Sequence, residues 1–88
     1  MIDVKEAARS AAEYFAGLFP DQGYSEVLLE EVELSEDEKY WLITLSYALP
    51  RPGGEGFAAL IPRQRRYKQF KIDAQTGKVQ AMTIRNVA

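Results

Sequence analysis

The 88-residue chain has no cysteine, no histidine, one tryptophan and two methionines. Without cysteine there is neither a disulfide nor a thiolate metal site, and redox chemistry places no constraint on the compartment. Without histidine the commonest general base and metal ligand is missing as well. A nucleophile would have to be Ser or Thr activated by Lys or a carboxylate, and no spacing nominates such a pair, so an enzyme is not expected. Long apolar runs are also lacking. The opening Met1-Ile2-Asp3-Val4-Lys5-Glu6 carries acids and reads as neither a secretion signal nor a membrane span, which predicts a cytoplasmic protein.

Two glycine- or acid-rich stretches fail the cofactor patterns they superficially suggest. Gly53-Gly54-Glu55-Gly56 has no Gly-Lys-Ser/Thr opening a helix, so it is not a phosphate loop. Glu36-Asp37-Glu38 lacks the spaced ligands and central glycine of a calcium loop and reads as a solvated turn. No cofactor and no metal are expected.

What is present is sharply polarised. Residues 1–50 hold eleven acids against three bases, and residues 51–88 hold eight bases against two acids, so halves of −8 and +6 make the net charge of −2. Acidic and basic strands side by side in one sheet would pair across it. A bipolar surface left open would instead steer partners or stack copies head to tail.

The chain is long enough for one domain that buries roughly 60% of its unfolded surface. Val4, Ala7, Ala8, Ala11, Ala12, Phe15, Leu18 and Phe19 recur at steps of three and four, predicting an amphipathic helix over about 3–19. Asp3 is its expected N-cap, with Glu6 three residues on, and Gly17 and Pro20 mark its end. Strands follow at about 24–34, 39–48, 63–73 and 78–87. In the second, Trp41, Ile43, Leu45 and Tyr47 share one face, and Tyr40, Leu42, Thr44 and Ser46 the other. The first has apolar residues in both phases, at Val27, Leu28, Leu29, Val32 and Leu34, which predicts a bulge or an edge-to-centre transition. Val79 and Ala81 are likewise out of phase with Met82 and Ile84. The fold expected is α+β, one N-terminal helix on a four-stranded antiparallel meander. Trp41, Ile43, Leu45, Phe15, Leu18, Phe70 and Ile72 form its predicted core.

The best-defined motif is the hairpin Tyr67-Lys68-Gln69-Phe70-Lys71-Ile72-Asp73-Ala74-Gln75-Thr76-Gly77-Lys78-Val79. Asp73 can bond backbone N–H groups just ahead of it, and Gly77 supplies the positive φ the loop needs. With the N-terminal helix and the strand after it, the Tyr-x-x-Phe-x-Ile-Asp-Ala-x-Thr-Gly-Lys-Val stretch resembles a PepSY-type domain, a cystatin-like α+β module. The resemblance implies association with propeptides and peptidase inhibition, usually outside the cytoplasm. This chain lacks a recognisable secretion signal and is far more polarised in charge.

Two regions are candidate partner surfaces. One is the sheet face turned away from the helix, with Tyr40, Leu42, Thr44, Tyr67 and Gln69. It continues into the basic run Arg63, Arg65, Arg66, Lys68 and Lys71, where cations lie beside an aromatic ring and could receive an acidic protein segment or a nucleic-acid backbone. The acids of the other half would repel phosphates within about 8 Å, which argues against nucleic acid. The other region is the 49–62 connection, unusually long for a small domain, whose Phe57, Leu60 and Ile61 either cap the sheet or are buried against a partner. The expected function is a non-enzymatic module binding another protein, a second copy of itself included, through the open sheet face and the long loop. Nucleic-acid binding through the basic strand and small-ligand binding between helix and sheet are the alternatives.

Overall fold

The computed structural model describes residues 1–50 and 64–86. Phe57, Leu60, Ile61 and Arg63 lie outside the described residues, as does most of the long connection. The described chain forms helix α1 (Val4–Leu18) and strands β1 (Ser25–Leu34), β2 (Tyr40–Ala48), β3 (Arg65–Asp73) and β4 (Val79–Ile84). They make one four-stranded antiparallel sheet in the order β1-β2-β3-β4 with α1 packed on one face, the α+β meander that the periodicities predict. The helix begins where its cap places it: the Glu6 N–H donates to Asp3 Oδ1 at 2.9 Å. It runs through Gly17, however, and ends at Phe19, whose N–H still bonds Phe15 O at 3.2 Å.

The helix presents Ala7, Ala11 and Phe15 to Ile43, Leu45 and Tyr47 of β2 and to Phe70 and Ile72 of β3. Alanines at successive turns bring the helix axis close to the sheet, and Phe15, 3% exposed, fills the space where the alanine stripe ends. Its ring lies 4.7 Å from that of Tyr47 and 5.9 Å from that of Tyr24, and Phe19 extends this aromatic cluster beyond the helix. Leu18 departs from expectation: it is 46% exposed, because the final helical turn carries it past the sheet while Phe19 turns in. Trp41 is only half-buried and anchors the N-terminus instead, its indole N–H donating to Ile2 O at 3.1 Å. The Ile2 N–H in turn bonds Ala74 O at 2.7 Å.

Both phase conflicts in the sequence are resolved by irregular pairing. Along β1 the register shifts between Ser25 and Leu28 and again between Leu29 and Glu31. Leu29 and Val32 thereby pair with Leu45 and Ile43 on the helix face, while Leu28 pairs with Ser46 on the opposite face. A shift between Lys71 and Ile72 similarly puts Val79 opposite Ile72 and Met82 opposite Phe70, so both face the helix. The β3–β4 turn forms as predicted. Asp73 Oδ1 accepts from the N–H groups of Gln75 (2.8 Å) and Thr76 (2.9 Å), and Gly77 sits at φ 79°. The β1–β2 turn uses the same device, with Asp37 Oδ1 accepting from Ser35 Oγ at 2.7 Å and Lys39 N at 3.0 Å.

Candidate binding surface

The strand alternation divides the basic run. Arg65, Tyr67, Gln69 and Lys71 pair with Ala48, Ser46, Thr44 and Leu42 on the face away from the helix, whereas Arg66 and Lys68 pair with Tyr47 and Leu45 on the helix side. The outer face therefore brings together Tyr40, Leu42, Thr44, Arg65, Tyr67 and Gln69 of the expected surface, and Arg66 lies apart from them.

That outer face is polar and internally tied. Arg65 reaches across β2: it donates through Nη2 to Ser46 Oγ at 2.8 Å and to Glu26 O at 2.5 Å, and forms an ion pair with Glu26 Oε2 at 3.5 Å. Glu26 lies in the first β1 bulge at φ 51°, a left-handed conformation costly for a residue with a Cβ. The guanidinium holds the carbonyl that this bulge turns out of the ladder. Ser46, fully buried, donates in turn to Glu30 Oε2 at 2.6 Å. Farther along, Arg85 Nε pairs with Glu31 Oε1 at 2.9 Å, spanning the two central strands from one edge to the other. Lys71 Nζ stands 4.2 Å from the ring centroid of Tyr40, a cation–π contact. The acidic and basic strands thus do pair across one sheet.

Beneath the Arg85–Glu31 bridge lies a small cavity of about 150 Å³ bordered by Leu42, Thr44 and Gln69. Thr44 is 1% exposed, and among the described residues its hydroxyl is buried without a partner. Its side chain is thus not presented to solvent, although it belongs to the face expected to meet a partner.

The large exposed apolar side chains lie elsewhere, and the sequence reading did not select them as a surface. Every residue from Glu26 to Glu33 is exposed. Val27, Leu28, Leu29 and Val32 lie between 39% and 51% exposed. Their mixed phase was the available signal, since a strand apolar on both faces is either central or waiting for cover. Among the described residues β1 is an edge strand, and α1 lies mainly over β2 and β3, leaving most of the helix-side face of β1 exposed.

A second concavity, of about 480 Å³, opens at the far end of the sheet. β4 stops at Ile84, opposite Lys68, so the first residues of β3 have no β4 strand beside them. Tyr24, Tyr47, Arg66, Lys68 and Ile84 border the gap. Burial holds the Tyr47 hydroxyl above the usual phenol range, with Tyr24 acting in the same direction and the nearby Arg66 charge opposing it.

Among the described residues no group of three or more carboxylates is placed to hold a metal ion, and no helix is long and apolar enough to cross a membrane. The class defined by fold and surface is an α+β protein with one helix on a four-stranded antiparallel sheet and, among the described residues, an uncovered edge strand. No family model, no curated protein and no solved structure matches the chain.

Proposed function

We propose that the chain is a cytoplasmic, non-enzymatic module that binds another protein, as inhibitor, immunity-type partner or accessory subunit, by accepting an extended segment of it along the free edge of β1. The supporting observation is the exposure of Val27, Leu28, Leu29 and Val32 on a strand that, among the described residues, has a neighbour on one side only. An edge strand offers backbone donors and acceptors to an added strand, and side chains at alternate positions select its sequence. Charge narrows the partner. β1 carries Glu26, Glu30, Glu31 and Glu33 and no base, so two copies joined along this edge would set like charges side by side. Bulges and acids are the means by which edge strands resist self-pairing. The complementary segment therefore alternates apolar residues with Lys or Arg, and it comes from another protein rather than a second copy. The likeness of the Tyr67–Val79 hairpin to PepSY-type modules, associated with peptidase inhibition, supports the same reading.

A library of displayed extended peptides tests this proposal. Enrichment of apolar–basic alternation is expected, with binding lost in Leu29→Lys/Val32→Lys and retained in Tyr40→Ala/Tyr67→Ala. Enrichment of acidic peptides, or loss in the outer-face variant alone, would move the surface away from β1.

A further inference from the structure

We infer that the concavity at the open end of β3 binds a small organic anion with an aromatic or apolar body, its anionic head held by Arg66 and Lys68. This is a different site from the β1 edge and does not depend on it. The cavity holds about 480 Å³, and among the described residues no carboxylate borders it, although the chain as a whole is acidic.

Four cations border it, and they are of two kinds. Arg65 and Arg85 are already paired with Glu26 and Glu31, so they form fixed walls. Arg66 and Lys68 have no carboxylate within ion-pair distance among the described residues. They project from alternate positions of β3 on the helix side, about 7 Å apart along the strand, close enough for one anionic group to meet both. The Lys68 ammonium itself stands over Phe19, with Nζ 6.0 Å from its ring centroid, and an anion in the concavity would draw it from that ring.

The rest of the lining suits the body of such a ligand. The rings of Tyr24 and Tyr47 stand 4.6 Å apart and belong to the packed Phe15 cluster, so they form a rigid aromatic wall that loses little entropy on binding. Tyr47 remains a neutral hydroxyl at physiological pH and can donate to an anion. Opposite stands Ile84, 76% exposed, an apolar side chain with no cover. Tyr67 O accepts from the Arg85 N–H at the border of the gap. Two cations without an ion-pair partner among the described residues, a phenol donor, an aromatic wall and an apolar lip define a ligand that is anionic at one end and apolar at the other, an aryl phosphate monoester or an aromatic carboxylate being the simplest.

The test is a titration of the isotopically labelled protein, followed by amide and side-chain NMR shifts, with phenyl phosphate, inorganic phosphate and benzyl alcohol as probes. Saturable shifts confined to Tyr24, Tyr47, Arg66, Lys68 and Ile84 are expected with phenyl phosphate. The affinity should fall at least about tenfold in Arg66→Gln/Lys68→Gln, as loss of charge-assisted hydrogen bonds requires, while the remaining spectrum is unchanged. The single variant Lys68→Gln covers the case in which the double one fails to fold. No saturable response below about 10 mM, a regime weaker than a specific site, would overturn the inference. So would equal affinity for inorganic phosphate or benzyl alcohol, or undiminished binding by the variants.

Discussion

At the residue scale, Asp37 and Asp73 organise the two hairpin turns as carboxylates. The Ser35 hydroxyl and the Lys39 N–H lower the Asp37 pKa, and the Thr76 and Gln75 N–H groups lower that of Asp73. A carboxylate whose pKa is lower folded than unfolded contributes stability in full above its unfolded value, about 3.9, and loses it as pH falls through the folded value. Stability should therefore fall below about pH 4, and Asp37→Asn/Asp73→Asn should show a shallower acid limb in denaturant titrations. Identical limbs would remove these turns from the account. Thr44 supports a prediction of the opposite kind. Its hydroxyl is buried and, among the described residues, unpartnered. Thr44→Val, nearly the same shape without the polar group, should hold stability or raise it by about 1 kcal/mol. A loss of that size would reveal a hydrogen bond made by the hydroxyl. Phe15→Ala belongs at the other extreme: with Phe15 3% exposed among four aromatic rings, truncation should cost about 3 to 5 kcal/mol, and chemical denaturation would measure it.

At the element scale, β1 is the least self-sufficient part of the fold. It is exposed over most of its length, has two bulges and contributes nothing to the buried cluster. Across the first bulge a side chain from two strands away, Arg65, ties Glu26 to the sheet. Arg65→Ala should cost about 1 to 3 kcal/mol, the range for losing hydrogen bonds made by a charged donor, and the loss should be local. Hydrogen exchange should quicken at Glu26 to Leu28 while β3 and β4 keep their protection. Uniform acceleration across the sheet would show that Arg65 supports the whole fold rather than the bulge. In the β3–β4 hairpin, the cost of Gly77→Ala would come from backbone conformation. An added Cβ would meet Ile2 Cδ1 at 3.6 Å, an ordinary contact, but φ is +79°.

At the scale of the whole molecule, the opposite charges of the two halves meet within one sheet at two ion pairs among the described residues. Arg65 and Arg85 reach acids on β1, leaving Arg66 and Lys68 as the unpaired cations of β3's helix-side face among the described residues. Nucleic-acid affinity rests on many simultaneous phosphate contacts, and the proposed protein-binding role predicts that they are not made here. A mobility-shift assay at micromolar protein and low salt should show no complex with short DNA or RNA. A complex abolished by Arg65→Glu/Arg66→Glu with the fold intact would reinstate the basic strand as a nucleic-acid surface. By the same reasoning the acids of β1 should keep the chain monomeric, and sedimentation would reveal a dimer if they do not.

Local signals alone determined the helix and its Asp3 cap, the four strands, the Asp73–Gly77 turn and the Ile43, Leu45, Phe70 and Ile72 core face. Each depends on side-chain periodicity or on hydrogen bonds spanning a few residues. The remainder required tertiary structure. The out-of-phase residues of β1 and β4 were legible as conflicts, but their facing depends on which ladder rungs slip, and pairing between strands decides that. Leu18 fits the helical stripe yet lies outside the core, because the stripe is longer than the sheet surface it meets. Of the expected surface, the alternation of Tyr40, Leu42, Thr44, Tyr67 and Gln69 was readable, whereas the burial of Thr44 beneath an ion pair joining opposite edges was not. The exposure of Val27, Leu28, Leu29 and Val32 was equally hidden. A sequence states that a strand is apolar, but whether a helix lies over it depends on where the helix docks, and this one lies mainly over the two central strands.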